Sequence, residues 1–267
     1  DNKRINTAKN NEEIFIALNQ TPFYAESGGQ VGDRGKFASK TAAGNMLDCK
    51  KQGKVFIHKA LIKKGKIKTG DVIKMTVEKE KRAAIAIHHS STHLAHAALR
   101  EVLGDHVQQK GSLVDENKLR FDFSHDKPLT KDQISAIEAI VNKEALNNSE
   151  VKTELMRLDD ALKSGAMALF GEKYDDDVRV LTMGDNSYSV ELCGGTHVKR
   201  TGDIGFFIII NQSSVASGIR RIEAVAGMKA IEHIEKIRQI NLSLQTSLNV
   251  SSDDMLEKVQ NLIEENK

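Results

Sequence analysis

One run limits how this chain can fold more than any other. "AAIAIHHSSTHLAHAALREVLG" (residues 83–104) places Ala84, Ile87, Ala95, Ala98 and Leu99 at helical spacing. Gly104 stands where such a helix would stop. A helix is therefore predicted over residues 81–103. The same run carries His88, His89, His93 and His96, an unusual load of imidazole for an apolar helix. Those rings are metal ligands, a catalytic base or a solvated polar face, and the flanking chain has to decide between them.

Before the helix, residues 12–80 read as β. "EIFIALN", "GKFA", "KVFIHKALI" and "DVIKMTVEKE" are short strand-prone runs, separated by turns rich in Gly, Lys and Asn. Closely spaced strands with glycine corners predict a small barrel. After the helix, "QKGSLV" and "LRFDFSH" flank "DENK" as a hairpin, and Thr130 with Gln133 fits a capping box for a second helix. A short helix is expected near "DDALKSGAMALFG", with strands at "DVRVLTMG", "YSVELCGG", "DIGFFIII" and "GIRRIEAVAG". Long helices among antiparallel strands give an α+β class with two long helices. From Met228 onward the pattern is helical, with Met228, Ile231, Ile234, Ile237 and Ile240 stepping by three and "SSDD" opening another helix. Three parts are expected: a β-barrel domain at 1–80, an α+β core at 81–227 and a helical extension at 228–267.

Bulk properties exclude little. The formal charge of +2 is too small to predict a nucleic-acid partner by itself. The longest apolar stretch, "GFFIII", is far too short to cross a bilayer, so no membrane partner is expected. Two cysteines and no signal-like segment point to a reducing, cytoplasmic setting. The first residue is not methionine and the last run is charged and helical, so both ends read as cuts.

His89 and His93 are four residues apart, about 40° around a helix axis, so both rings can face one ion. His88 points about 100° away from His89. His96 lies near the same face and is a competitor or a supporting group. Nine histidines in this length give about 0.3 such pairs by chance, so the pair alone is even odds. "CGGTH" adds Cys193 and His197, a spacing expected about 0.07 times by chance. Three imidazoles and a thiolate suit tetrahedral zinc, with the glycines letting the backbone turn tightly between Cys193 and His197. His88 and His106 read as solvated, and Cys49 as an ordinary thiol. Ser90 stands where a zinc peptidase carries glutamate, which argues against that chemistry. Four protein ligands would close a structural shell, whereas catalytic sites keep a position for water.

"TPFYAESGGQVGDRG", "HSSTHLAHAALREVLGDHVQQKGSLV", "LRFDFSH", "GAMALFGEKY", "ELCGGTHVKRTGDIG" and "GIRRIEAVAG" together resemble the editing region of bacterial alanyl-tRNA synthetases. Free-standing alanyl-tRNA editing proteins share part of the set. The likeness runs from about residue 13 to 227 and implies an excised segment, with the class II aminoacylation domain expected before it. It implies hydrolysis of serine or glycine mischarged onto alanine tRNA, with the rest of the synthetase as partner in cis. His89, His93, Cys193 and His197 match the family's zinc positions. Thr21 matches a threonine associated with the substrate hydroxyl, and Gln109 an active-site glutamine. Where the commonest pattern reads "HSATH", this chain has "HSSTH", and the changed position is not a ligand.

Serine differs from alanine by one hydroxyl, which an apolar pocket rejects weakly, so a second hydrolytic check is useful. Serine is also larger than alanine, so that check must demand the hydroxyl. Thr21 is the candidate for this, against a bland reading as a strand threonine. Gly28, Gly29 and Gln30 lie in a loop that brings backbone N–H groups to the terminal adenosine or its phosphate, or else forms a barrel corner. Lys110, Lys199 with Arg200, and Arg220 with Arg221 are candidate phosphate contacts. A competing function is a tRNA-binding module with purely structural zinc. Editing of threonyl-tRNA is a third reading; "RRIEAVAG" and the glycine-rich segment favour alanine.

Overall fold

The histidine-bearing run forms one helix, α1 (Lys79–Leu103), in the computed structural model, which describes residues 3–168 and 174–266. Burial along α1 is almost continuous from Ile85 to Leu99, polar residues included. Buried hydroxyls in a helix need acceptors, and the preceding turn provides them. Ser91 Oγ donates to the Ile87 carbonyl at 2.7 Å and Thr92 Oγ1 to that of His88 at 2.9 Å. Gly104 ends the helix at φ +114°, its N–H bonded to the Arg100 carbonyl. His88 corrects an expectation here. It is buried instead of solvated, because the turn at Asp115 covers it and accepts from its Nδ1–H at 2.9 Å.

The chain before α1 forms β1 (Thr7–Lys9), β2 (Glu13–Ala17), β3 (Gly35–Ala38), β4 (Ala42–Gln52), β5 (Val55–Lys68) and β6 (Lys74–Val77). All pair antiparallel in the order β1-β5-β4-β3-β6, with β2 following β1 along β5. The expected closed barrel is not formed among the described residues; this is an open sheet. β6 ends the sheet on one side and β1 and β2 end it on the other, and no pairing between these edges is present among the described residues. β6 is only four residues long and leads within two residues into α1. Phe23, Phe37, Met46, Cys49, Ala60 and Ile62 fill the core on one face of this sheet.

After α1 come β7 (Gln109–Val114), β8 (Leu119–Ser124), α2 (Lys131–Leu146), β9 (Lys152–Arg157), α3 (Leu158–Lys163), β10 (Asp177–Met183), β11 (Ser189–Leu192), β12 (Phe207–Ala216) and β13 (Ile219–Ala226). Two more antiparallel sheets result, ordered β12-β13-β8-β7 and β11-β10-β9. The class is α+β, with α1 and α2 as the long helices of this part. The capping box of α2 is present: Thr130 Oγ1 accepts from Gln133 N–H and Gln133 Oε1 from Thr130 N–H. Leu94, Leu99, Phe121, Phe123, Ile137, Val141 and Phe207 make one core between these helices and the four-stranded sheet. α3 takes up only the start of the helix expected near residue 159. The end of that run, at residues 169–171, lies outside the described residues.

Residues 1–227 form one compact unit and residues 228–267 another. The second consists of α4 (Met228–Leu248) and α5 (Met255–Glu265). Met228, Ile231, Ile234, Ile237 and Ile240 are exposed along α4. No helix among the described residues is long and apolar enough to cross a membrane.

Candidate metal centre

α1 delivers His89 and His93 one turn apart, and the loop after β11 delivers Cys193 and His197. Their ligand atoms all lie within 4.8 Å of one another. Cys193 Sγ is 3.5 Å from His89 Nε2 and 3.2 Å from His197 Nε2. Gly195 permits the approach: a Cβ there would sit 2.2 Å from the His89 ring, whereas at Gly194 it would meet nothing within 4 Å. Neither glycine takes a positive φ, so the close approach to His89, and not the turn itself, is what requires Gly195. The N–H of Gly195 also points to Cys193 Sγ at 3.4 Å.

Each imidazole has its Nδ1 engaged, which orients Nε2 toward the common point. His89 Nδ1–H donates to Gln30 Oε1 at 2.7 Å and His93 Nδ1–H to Glu191 Oε2 at 2.7 Å. His197 Nδ1 lies 3.3 Å from Ser90 Oγ, which also accepts from Val198 N–H. Glu191 Oε1 takes the Nδ1–H of His96 at 2.9 Å, so His96 supports the centre and is not one of the four clustered donors. Spacing along the chain found the four donors. It carried no sign of Gln30, Glu191 or Ser90 as partners.

Electrostatics favour a ligand thiolate. Burial raises the Cys193 thiol, but the His93 and His89 rings and the hydrogen bonds from His197 and His89 bring it well below its usual range. Burial, aided by the neighbouring His89 and His93 rings, pushes His197 down to about 3, leaving its ring neutral as ligation requires. Burial works against ionised Glu191, and the His93 and His96 rings reverse that, so it stays a carboxylate.

The other predicted residues divide. Thr21 Oγ1 is 2.8 Å from Nε2 of buried His58, and His58 Nδ1 faces the Ile16 carbonyl at 3.3 Å. A carbonyl only accepts, so the His58 proton sits on Nδ1 and Thr21 donates its hydroxyl hydrogen to Nε2. Thr21 Oγ1 also accepts from Phe23 N–H, which leaves it acceptor capacity and no donor. Gln109 is half-buried at the start of β7, beside a register shift against β8. Gly28 and Gly29 take φ of +56° and +82°, and a Cβ on Gly29 would strike the Ser112 carbonyl at 2.5 Å. Gln30 is fully buried, its side chain bonded to His89 and Thr196. Lys110 is exposed, and its Nζ lies 3.4 Å from Gln108 Oε1. Arg221 is held by Asp122 through bonds of 2.6 and 2.8 Å, Arg220 lies 3.4 Å from Gln212 Oε1, and Arg200 bonds Asn148. Lys199 is exposed. Arg82, paired with Asp33 and bonded to the Pro22 carbonyl, ties the glycine-rich loop to the first turn of α1.

Residues 178–223, which include Cys193 and His197, match the family described as "Threonyl and Alanyl tRNA synthetase second additional domain". Residues 1–81 match "tRNA synthetases class II (A)". The full chain aligns with the alanine–tRNA ligases of Methylococcus capsulatus (47% identity over 268 residues), Rickettsia felis (48% over 269) and Parvibaculum lavamentivorans (48% over 275). The chain corresponds to a segment of alanyl-tRNA synthetase. It covers 31%, 30% and 31% of those three relatives in turn. The two matched stretches of this synthetase segment meet beside the four-donor cluster, where Gln30 bonds Thr196.

The donors fit a metal ion. His93 Nε2 is buried with no hydrogen-bond partner among the described residues and belongs to the four-donor cluster. Three imidazoles with one thiolate are the chemistry of a tetrahedral, borderline-soft divalent ion.

Proposed function

We propose that this synthetase segment hydrolyses the ester of serine or glycine mischarged onto alanine tRNA, with zinc held by His89, His93, Cys193 and His197. The observation that carries the reading is the convergence of those four donors in a chain whose whole length aligns with a 31% portion of an alanine–tRNA ligase. When bound, zinc supplies Lewis acidity toward an ester carbonyl or a grip on the substrate's amino group.

The remaining work belongs to the chain. Thr21 offers an oxygen that accepts and does not donate. A serine hydroxyl donates to its one remaining lone pair, while alanine leaves that lone pair unused; glycine, which also lacks a hydroxyl, is not selected through Thr21. Gln109 holds the attacking water, and the backbone of Gly28 and Gly29 with the Gln30 turn faces the terminal adenosine. Lys110, Lys199 and Arg220 meet acceptor-stem phosphates in the cytoplasm, and the rest of the synthetase acts in cis. In this scheme residues 1–80, 81–227 and 228–267 are the sheet domain, the editing core and the extension.

Deacylation of seryl-, glycyl- and alanyl-tRNA by the wild type and by Cys193→Ala, with metal content measured alongside, tests the reading. Cleavage of the first two only, lost together with zinc in the variant, is expected. Full activity in a zinc-free variant refutes it. A second reading, a tRNA-binding module with structural zinc, is favoured by the fact that four protein donors fill a tetrahedral shell. Metal stripping separates the two: unfolding favours the structural role, and loss of activity with the fold intact favours the catalytic one.

A further inference from the structure

We propose that Glu191 is the positioning residue of the metal centre, and that His96 anchors Glu191 instead of competing for the ion. The inference rests on the reading that the four donors bind a divalent cation. Glu191 is 4% exposed, and each of its oxygens accepts from one imidazole, His93 at 2.7 Å and His96 at 2.9 Å. It stands on β11 two residues before Cys193, so one strand end delivers both a ligand and the support of a second ligand. A carboxylate on the far nitrogen of a ligating histidine fixes the ring's tautomer and raises its basicity toward the ion.

Charge gives an independent reason. Three neutral imidazoles and one thiolate around a divalent cation leave one positive charge in a buried place. The Glu191 carboxylate balances it at the distance of one ring. A carboxylate so placed must have both oxygens satisfied, or it turns away from His93. His96 meets that need. It is itself 5% exposed, lies against Phe121 at 5.1 Å between ring centroids, and turns Nδ1 to Glu191. Its Nε2 is buried without a partner among the described residues, but unlike that of His93 it is not part of the four-donor cluster. This accounts for a fourth histidine on α1 that no ligand shell needs.

Zinc affinity of the purified protein, read by competition with a chromogenic chelator, tests the inference together with the visible spectrum of the cobalt-loaded protein. Glu191→Gln is expected to weaken zinc binding about 10–100-fold. It is also expected to shift the cobalt bands, while the fold in excess zinc stays that of the wild type. His96→Ala, which keeps the carboxylate, is expected to weaken binding by a smaller factor and carries the test if Glu191→Gln does not fold. Wild-type affinity and spectrum in the variants overturn the inference and leave the metal reading standing. A wild-type protein that takes up no zinc overturns both.

Discussion

Gln30 and His89, 59 residues apart, share a 2.7 Å hydrogen bond that fixes which nitrogen of the imidazole faces Cys193. The same Gln30 oxygen takes the N–H of Thr196 at 2.9 Å, and its amide donates to the Thr196 hydroxyl. One buried side chain thus holds both halves of the centre. Gln30→Ala leaves the N–H groups of His89 and Thr196 without acceptors. A loss of about 1–3 kcal/mol in urea unfolding is expected, with zinc affinity falling about 10–100-fold. Gln30→Glu keeps both acceptor bonds and is expected to retain most of that affinity. Unchanged zinc binding in Gln30→Ala would show that His89 is oriented by something else.

Gly195 and Gly194 give a sharper contrast. A methyl group on Gly195 would lie 2.2 Å from the His89 ring, closer than any real contact, so the ring or the loop must move. At Gly194 the same group meets open space. Gly195→Ala is expected to lower zinc content and deacylation together, and Gly194→Ala to leave both near wild type. Equal behaviour of the two variants in metal analysis would contradict the placement of the loop.

The four clustered donors were legible because their spacing is local: four residues on a helix, and four across a glycine pair. Their partners were not, since Gln30, Glu191 and Ser90 reach them across 59, 98 and 107 residues. Helices and most strands followed from period and turn residues, yet β4, "AAGNMLDCKKQ", went unread. Its propensity is poor, and pairing on both edges with β3 and β5 holds it extended. Gly44 within it lies against Phe37, where a Cβ would come within 2.5 Å of the ring, so small residues suit this strand for packing. The barrel expectation failed for a related reason: spacing reveals strands but not which edges they leave unpaired. His88 misled because an Asp115 carbonyl far along the chain covers it.

Stability should decline in acid through His58. Burial lowers its pKa, opposed only by the hydrogen bond to the Ile16 carbonyl, so the folded protein keeps the ring neutral. Once pH falls below about 6.5, the ordinary histidine value, the unfolded chain binds a proton that folded His58 refuses. Unfolding then becomes easier as pH falls, and above that value the group contributes nothing. His58→Gln is expected to flatten the slope of unfolding free energy between about pH 5 and 6.5. Denaturant titrations at several pH values measure it, and identical slopes would sink the assignment.

Arg221 and Lys199 separate a structural cation from a candidate phosphate contact. Arg221 meets Asp122 with two bonds, and Asp122 is 7% exposed. Truncating the arginine strands a buried carboxylate that, among the described residues, keeps an ion-pair partner in Arg120 alone, 3.9 Å away. Arg221→Ala is therefore expected to cost about 1–3 kcal/mol of stability, and any loss in tRNA affinity should follow the unfolded fraction. Lys199 is exposed, next to the loop that carries His197. Lys199→Ala should leave stability within about 0.5 kcal/mol and reduce the salt slope of tRNA binding by about 1 if the ammonium meets a phosphate. Binding isotherms at several salt concentrations, set beside urea unfolding, resolve the pair. A stable Arg221→Ala with a reduced salt slope would return that guanidinium to the RNA surface, because a side chain occupied by Asp122 cannot release a counterion from the backbone.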